Sequence, residues 1–336
     1  MSTLLRPRLR SHRRRRIPSA ELMLFAGSSN PALARRIAER LEIGLGAIEF
    51  ETFANDETYC RLAESVRGAD VFLLQSCSPP VNDHLVELLL MIHAARLASA
   101  HRITAVMPWF PYSRQDKKSA PREPISARLV AEVLQAAGVD RVLTMDLHAG
   151  QIQGFFRVPV DHMTALPFFA DYFRAAAPDG VPLAAVSPDL GRVKLASRLS
   201  TMLGTDFAVV TKTRPAHDVA EAAEVVGDVR GKLVIMGDDM IVTGGTLVTA
   251  TNALLEAGAR EVRAFATHAL FAEDALARLA ASDIAEIAVT DTVAFDGAPS
   301  AKLTVLSVAD VLAETIENVF SARSVSAAFA GLNELF

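Results

Sequence analysis

The sequence contains few cysteines and no hydrophobic segment long enough to cross a membrane. Only two cysteines occur among 336 residues, Cys60 and Cys77, and their spacing fits neither a metal motif nor a disulfide framework. No apolar run reaches about 18 residues without a charge, which is the length that a membrane helix needs. These absences argue against a disulfide-stapled secreted domain and against a membrane protein. They predict a protein of the reducing cytoplasm.

Acidic residues are absent from the amino terminus, where arginine is concentrated. Residues 1–16 contain seven arginines and no acid, although the whole chain carries a formal charge of −5. No apolar segment follows them, which argues against a secretory signal peptide. We expect residues 1–20 to form a disordered basic extension, most simply a dispensable one, with contact to an acidic surface as the alternative. Because the remaining chain is acidic, no nucleic-acid partner is expected.

Short apolar segments alternate with helical patterns along the rest of the chain, whose length suits two domains of about 150 residues each. Helices are expected to begin near Pro31, near Ile125 and at Asn82, whose side chain would cap a helix that ends near residue 99. This alternation predicts an α/β fold with parallel sheets covered on both faces. The predicted strands are residues 22–27, 47–54, 59–62, 71–75, 103–107, 142–147, 183–186, 207–211, 233–236, 262–267, 287–289 and 304–308.

Residues 233–250 combine a buried strand, two adjacent acids and a Gly/Thr-rich turn that opens a helix. The acids Asp238 and Asp239 follow the strand. The residues of the turn are Thr243, Gly244, Gly245 and Thr246. Glycines let the backbone approach an anion, hydroxyls donate to it, and the helix amino terminus adds N–H groups. Carboxylates directly before such a turn are explained by one ligand that carries both hydroxyls and a phosphate, so the stretch predicts a sugar-phosphate site.

Charged residues also follow other predicted strands, at the edge where ligands bind in such sheets. The basic ones suit a polyphosphate, and a histidine with a carboxylate suits a divalent cation bound to phosphate. Taken singly, each is equally well explained as a surface charge, an ion pair or a structural histidine. Their shared position at strand ends favours one site. The candidates are Arg114, Lys117, Lys118, His148, Asp189, Lys212 and Arg214.

Eight short motifs follow one another between residues 22 and 322. They are Phe53-Ala-Asn-Asp-Glu57, Pro111-Tyr-Ser-Arg-Gln-Asp-Lys-Lys118, Asp146-Leu-His-Ala149, Gln151-Ile-Gln-Gly-Phe-Phe156, Val158-Pro-Val-Asp161, Ser187-Pro-Asp189, Lys212-Thr-Arg-Pro215 and the turn at 243–246. This set, in this order, resembles the ribose-phosphate diphosphokinases of the phosphoribosyltransferase-like superfamily. No Walker A motif is present, which excludes a P-loop kinase and agrees with that resemblance.

The resemblance implies two similar phosphoribosyltransferase-like domains, each a mostly parallel sheet flanked by helices. Residues 21–160 would form the domain on the ATP side, and residues 161–325 the domain with the sugar-phosphate loop. The last helix is expected to pack back on the first domain. The implied reaction moves the β,γ-diphosphate of ATP to the C1 hydroxyl of ribose 5-phosphate, giving 5-phosphoribosyl 1-diphosphate and AMP. Mg²⁺ is the implied cofactor, and a hexamer built from dimers is the implied assembly.

By match to the family, the candidate residues receive roles. Those for adenine are Phe53, Asn55 and Glu57. Those for the ATP phosphates and ribose are Arg114, Gln115 and Asp116. The implied metal ligands are His148 and Asp189, and the implied catalytic residues are His148, Lys212 and Arg214. Those for ribose 5-phosphate are Asp238 and Asp239 at the hydroxyls and Thr243, Gly244, Gly245 and Thr246 at the phosphate.

The chain departs from the family pattern at three places. In the adenine loop, Asn55 and Asp56 replace an aspartate and a glycine, and aspartate tolerates positive φ better than most residues. Arg192 replaces the second glycine after Ser187-Pro-Asp189 and brings a guanidinium near the metal site. Val242 replaces a third acid before the Thr-Gly-Gly-Thr turn, close to where C1 would lie.

These departures leave alternatives open. A non-catalytic or weakly active paralogue that joins or regulates active enzymes would explain them, but it has no need for Lys212, Arg214, His148 and Asp189. A phosphoribosyltransferase with a nitrogenous base as acceptor would explain the Thr-Gly-Gly-Thr turn. That alternative gives no use for the adenine loop or for Arg114, Gln115 and Asp116.

Overall fold

The structure is a computed structural model that describes residues 21–213, 222–295 and 300–325. The predicted basic extension lies outside these ranges. The first half forms, in chain order, β1 (Leu22–Ala26), α1 (Pro31–Arg40), β2 (Ile48–Thr52), β3 (Thr58–Leu62), β4 (Asp70–Leu74), α2 (Val81–Leu97), β5 (Arg102–Met107), α3 (Ser126–Ala137), β6 (Arg141–Met145) and β7 (Val160–Met163).

The first sheet is parallel throughout and has the order β1-β4-β5-β6-β7. Its central strands are buried along their length, as expected for strands covered on both faces. Strand β7 begins at the predicted domain boundary and pairs with β6, so this sheet continues past residue 160. The predicted strands at 47–54 and 59–62 do not join it. They pair with each other as the antiparallel hairpin β2–β3.

The second half contains β8 (Leu183–Ser187), β9 (Asp206–Thr213), β10 (Ala222–Val226), β11 (Leu233–Ile241), β12 (Glu261–Ala269), β13 (Glu286–Thr290) and β14 (Leu303–Leu306). Its helices are α4 (Leu166–Ala176), α5 (Val193–Leu203), α6 (Gly245–Glu256), α7 (Ala275–Ala280) and α8 (Ala309–Phe320). The sheet order is β10-β9-β8-β11-β12-β13-β14, and pairs other than β9–β10 are parallel. The predicted α/β class with two mostly parallel sheets is confirmed.

Two local predictions were wrong. Asn82 does not cap α2, because the helix begins at Val81 with Pro80 at the N-cap position. The Asn82 side chain instead accepts a hydrogen bond from the Tyr112 hydroxyl. The acids Asp238 and Asp239 do not follow a strand that ends at residue 236; β11 continues to Ile241, because β12 extends far enough to pair with it.

The two halves share one hydrophobic core. It contains Phe72 of the first sheet, Phe265 of the second, Phe169 of α4 and Ile316 of α8. Helix α8 packs on α1. Burying both sheets against common helices joins the halves by apolar contact, which is the dominant favourable term in folding.

Buried polar contacts also join the halves, and we call them the interdomain seam. The amide of Asn30 donates to the backbone carbonyl of Asp291 at 2.8 Å, and the Thr267 hydroxyl donates to Asp146 Oδ2 at 2.6 Å. Nε2 of His268 lies 3.1 Å from the carbonyl of Met145. Burial lowers the pKa of His268, so its ring is neutral and donates one hydrogen bond across the seam.

None of the helices in the described part of the chain is long and apolar enough to span a membrane.

Candidate active site

A cavity of about 810 Å³ opens at the carboxyl ends of the strands, between the two halves. Several predicted site residues line it together: Arg114, Asp116, His148, Asp189, Asp238, Asp239, Thr243, Gly244, Gly245 and Thr246. Phe53, Asn55, Glu57 and Gln115 do not line it. Lys212 lies in β9 by its backbone, and Arg214 lies outside the described residues. The structure therefore brings all six predicted ribose 5-phosphate residues into one space with two of the six predicted nucleotide residues.

The Thr-Gly-Gly-Thr turn opens α6 at one wall of the cavity. Gly244 occupies the N-cap position with φ 73°, a backbone conformation that favours glycine. A Cβ there would also lie 3.0 Å from Leu279. Gly245 is the first helical residue, so the unpaired N–H groups of α6 begin at this wall. The turn has the conformation that an anion cradle requires.

The acid pair, Asp238 and Asp239, lies at the end of β11 and is engaged by Arg192. The Arg192 Nε donates to Asp238 Oδ1 at 2.6 Å, and its Nη2 donates to Asp239 Oδ1. Nη2 also lies 2.9 Å from His148 Nδ1, which is 2.7 Å from Asp239 Oδ2. Nδ1 carries at most one proton, so its hydrogen bond to Asp239 leaves no acceptor there for the Arg192 donor.

Burial and charge separate the pKa values of the two acids. Burial raises the pKa of Asp238 to about 8, and the neighbouring charge of Asp239 adds to this effect. Burial also acts to raise the pKa of Asp239, but the hydrogen bond from His148 and the charge of Arg192 outweigh it and lower that pKa. Asp239 is therefore the ionised member of the pair at neutral pH, and Asp238 holds a proton more readily.

The donors of His148 and Asp189 fit a divalent cation that substrate phosphates help to hold. The Nδ1 of His148 is directed to the Asp239 carboxylate, which orients the ring and leaves Nε2 as the nitrogen available to a metal ion. Asp189 accepts from the backbone N–H of Gly191 through Oδ1, at 2.8 Å, and its carboxylate lines the cavity. Among the described residues, no group of three or more His, Cys, Asp or Glu side chains could hold a metal alone. Phosphate oxygens and water would have to complete the shell.

The opposite wall comes from the segment after β5. Arg114 and Lys117 line the cavity there, and Asp116 accepts a hydrogen bond from the Gln151 amide at 2.7 Å. Gln115 turns away, because its side chain accepts from the Ser126 hydroxyl at 2.6 Å and lines a smaller pocket of about 460 Å³. This segment brings positive charge to the same cavity as the acid pair.

The predicted adenine loop is the exposed turn of the β2–β3 hairpin. Phe53 is 45% exposed, and its ring centroid lies 5.8 Å from that of Tyr59. Asp56 adopts φ 68°, so it takes the left-handed conformation that a glycine would take without strain. The Asn55 side chain lies 3.5 Å from the Glu57 backbone N–H. This turn is preformed but belongs to a different surface from the cavity of its own chain.

Sequence patterns missed several residues of the cavity. Gln151, Lys194, Phe265 and Thr267 line it, although none was predicted as a site residue. Gln151 occurs in one of the eight motifs, which is a usable signal. Thr267 and Phe265 lie on β12, and only the pairing of β12 with β11 brings them there. Arg192 was expected near the metal site, but its two ion pairs with the acids were not.

Comparison with known proteins decides the family. A model of the N-terminal domain of ribose phosphate pyrophosphokinase matches residues 22–138, and a model of the phosphoribosyl synthetase-associated domain matches residues 205–330. The chain is 48% identical over 311 residues to the ribose-phosphate pyrophosphokinase of Maricaulis maris, across 92% of this chain and 100% of that protein. The chain belongs to the ribose-phosphate pyrophosphokinase family.

Other ribose-phosphate pyrophosphokinases are similar to this chain over most of its length. The protein of that name from Fusobacterium nucleatum is 45% identical over 307 residues, covering 91% of this chain and 97% of its own. The crystal structure of phosphoribosylpyrophosphate synthetase from Mycobacterium smegmatis superposes with a TM-score of 0.84 at 45% identity, covering 90% of this chain and 99% of that one. The predicted family and enzyme class are therefore confirmed.

Proposed function

We propose that the chain transfers the β,γ-diphosphate of ATP to the C1 hydroxyl of ribose 5-phosphate, releasing AMP. The supporting observation is one cavity that joins a basic wall, an acid pair and an anion cradle. A sugar phosphate fits the last two, and a polyphosphate fits the first. Membership of the ribose-phosphate pyrophosphokinase family supports the same pair of substrates.

The reaction is an in-line displacement at phosphorus, so the protein contributes mainly position and charge. The turn at 243–246 holds the 5-phosphate, and the acid pair accepts from the ribose hydroxyls. Arg114 and Asp116 hold the ATP phosphates and ribose. The family motif assigns the same role to Gln115, which lines the smaller pocket that Arg114 also borders. Lys212 and Arg214 stabilise the charge that develops on the transferred group, as the family motif implies.

His148 and Asp189 would hold Mg²⁺ together with the ATP phosphates. The ion, when bound, neutralises phosphate charge and so lowers the cost of bringing two polyanionic substrates together. The hydrogen bond from His148 Nδ1 to Asp239 orients the imidazole for this role.

The exposed hairpin turn with Phe53, Asn55 and Glu57 supports an assembly of several chains. Because this turn lies away from the cavity of its own chain, we propose that it holds the adenine at the cavity of a neighbouring chain. A homo-oligomer, by family resemblance a hexamer of dimers, would bring the two together. A cytoplasmic location stays a prediction.

The test is a steady-state assay of the purified protein with ATP, Mg²⁺ and ribose 5-phosphate, in which AMP and 5-phosphoribosyl 1-diphosphate are quantified. We expect equal amounts of both products and none when a chelator removes the metal. Binding of ribose 5-phosphate without AMP formation would contradict the catalytic proposal and favour the regulatory paralogue. Competition between ATP and other nucleotides in the same assay identifies the diphosphoryl donor.

Val242→Asp is expected to raise kcat about tenfold or more. Val242 is half-buried and lines the cavity directly before the turn that holds the phosphate. A carboxylate there would orient the C1 hydroxyl, and one charged hydrogen bond contributes about 1.5–3 kcal/mol. Val242→Thr serves as the control, since it has nearly the same size but no charge, and its kcat should stay near that of the parent. If kcat of Val242→Asp does not rise, Val242 does not limit the rate.

A further inference from the structure

Arg192 is a cation of the cavity lining that forms ion pairs with both members of the acid pair. Its side chain is only 12% exposed, and it pairs with Asp238 and Asp239, which are 19% and 4% exposed. It begins α5 as the N-cap residue, so its backbone is fixed by the helix. Arg192 lines the cavity together with both acids.

The contact with Arg192 occupies one lone pair on one oxygen of each acid. Asp238 Oδ1 accepts from Arg192 and from the backbone N–H of Asp239 at 2.8 Å. Asp239 Oδ1 accepts from Arg192 and from the backbone N–H of Met240 at 2.9 Å. A carboxylate oxygen has two lone pairs, so both Oδ1 atoms are filled. Asp239 Oδ2 already accepts from His148.

Asp238 Oδ2 and one lone pair of Asp239 Oδ2 stay open, so a sugar hydroxyl competes with the guanidinium when it donates to an Oδ1 atom. The backbone N–H groups are fixed by β11, and His148 is held at the cavity wall. Arg192 is the donor that can leave, because a long side chain can swing about several bonds while its backbone stays in place. Its departure frees one lone pair on each Oδ1 atom.

We propose that Arg192 competes with ribose 5-phosphate for the acid pair and is displaced from both Oδ1 atoms when the sugar hydroxyls donate to them. This inference rests on the proposed function only in its choice of ligand. A sugar that donates to both acids competes with both hydrogen bonds of Arg192. A sugar phosphate with one hydroxyl fewer competes with one of them, so Arg192 weakens binding most for the sugar that uses both acids.

The direction in which the affinity for ribose 5-phosphate changes when Arg192 is replaced separates this role from simple charge attraction. Removing a positive charge from a cavity that binds phosphates weakens phosphate binding if charge alone matters. Removing a competitor strengthens the binding of ribose 5-phosphate. The two explanations therefore predict opposite changes in the dissociation constant for the same variant.

The experiment is isothermal titration of the parent protein, Arg192→Ala and Arg192→Gln with ribose 5-phosphate, 2-deoxyribose 5-phosphate and inorganic phosphate, with Mg²⁺ and with a chelator. We expect both variants to bind ribose 5-phosphate about tenfold more tightly than the parent, a change of about 1.4 kcal/mol. The gain should be clearly smaller for 2-deoxyribose 5-phosphate and absent for inorganic phosphate. Arg198→Gln on the same helix is the matched control, since Arg198 does not line the cavity and should leave all three affinities unchanged.

Each other outcome overturns a defined part of the inference. Weaker or equal binding of ribose 5-phosphate by both variants would show that Arg192 does not compete with the sugar for the acid pair. An equal gain for all three ligands would assign the effect to general rearrangement and would also overturn it. If no folded variant binds ribose 5-phosphate at all, then the proposed function fails. Circular dichroism and the melting temperature establish that each variant is folded.

Discussion

Asp239→Asn is expected to lower kcat/KM for ribose 5-phosphate about 100-fold, a loss of about 2.7 kcal/mol in transition-state stabilisation. Asp239 is 4% exposed and accepts hydrogen bonds from both His148 and Arg192. An amide of the same size has one acceptor oxygen and two N–H donors, so one of its partners would face a donor. A lost hydrogen bond to a charged group costs about 1.5–3 kcal/mol, and the sugar hydroxyls and the His148 ring both depend on this carboxylate.

The measurement is initial velocity against ribose 5-phosphate at saturating ATP and Mg²⁺. Asp179→Asn is the matched control, because Asp179 is an exposed loop carboxylate outside the cavity, and its kcat/KM should equal that of the parent. We expect the loss in Asp239→Asn to remain at every Mg²⁺ concentration, since it removes a protein hydrogen bond and an acceptor for the sugar. Activity within about threefold of the parent would show that the acid pair contributes through Asp238 alone.

Phe265→Ala is expected to lower the free energy of unfolding by about 3–5 kcal/mol, the range for deleting a buried aromatic ring. Phe265 is 1% exposed, and its ring centroid lies 4.5 Å from that of Phe169 and 6.0 Å from that of Phe173. The ring also lies directly over Gly237 of β11, where a Cβ would come within 2.1 Å of it. Its removal would leave a cavity beneath the strand that carries the acid pair, in the core that both halves share.

Urea unfolding followed by circular dichroism measures this loss. Phe207→Ala is the matched control, because Phe207 is 40% exposed on β9, and it should cost well under half as much. A loss below about 1.5 kcal/mol for Phe265→Ala would show that α4 closes over the space, since partial collapse reduces the cost of a cavity.

The sequence predicted the parts of the fold that depend on local pattern. Apolar runs predicted the buried strands, and Pro31 predicted the start of α1. Helix α3 ends at Gly138, which adopts φ 110° as the left-handed C-cap. Pairing between distant segments was not predictable in this way. The sequence analysis did not separate the hairpin β2–β3 from the strands of the main sheet, although β2 alternates apolar and acidic residues, and the pairing shows that the hairpin stands apart.

In the candidate site, too, features set by local sequence were predictable and contacts between distant segments were not. Thr243 to Thr246 and Asp239 were predictable, because a glycine turn before a helix and adjacent acids have local chemical meaning. The contact of Arg192 with the acid pair was not, because Arg192 and Asp238 are 46 positions apart and the pairing of β8 with β11 brings them together. Gly237 gave a local signal, since a glycine inside a strand often marks a close approach, and here that approach is by the Phe265 ring.

The interdomain seam bears on how substrates enter the cavity. Rotation of one half against the other would break buried hydrogen bonds at Asn30, Asp146 and His268 and would expose the shared core to water. Each buried polar group left without a partner costs about 1–3 kcal/mol, so a hinge motion at this joint is energetically expensive. We therefore expect substrates to enter through the mouth of the cavity while the two halves keep their positions. The change that binding then requires is local, at the Arg192 side chain, which gives up its contacts with the acid pair.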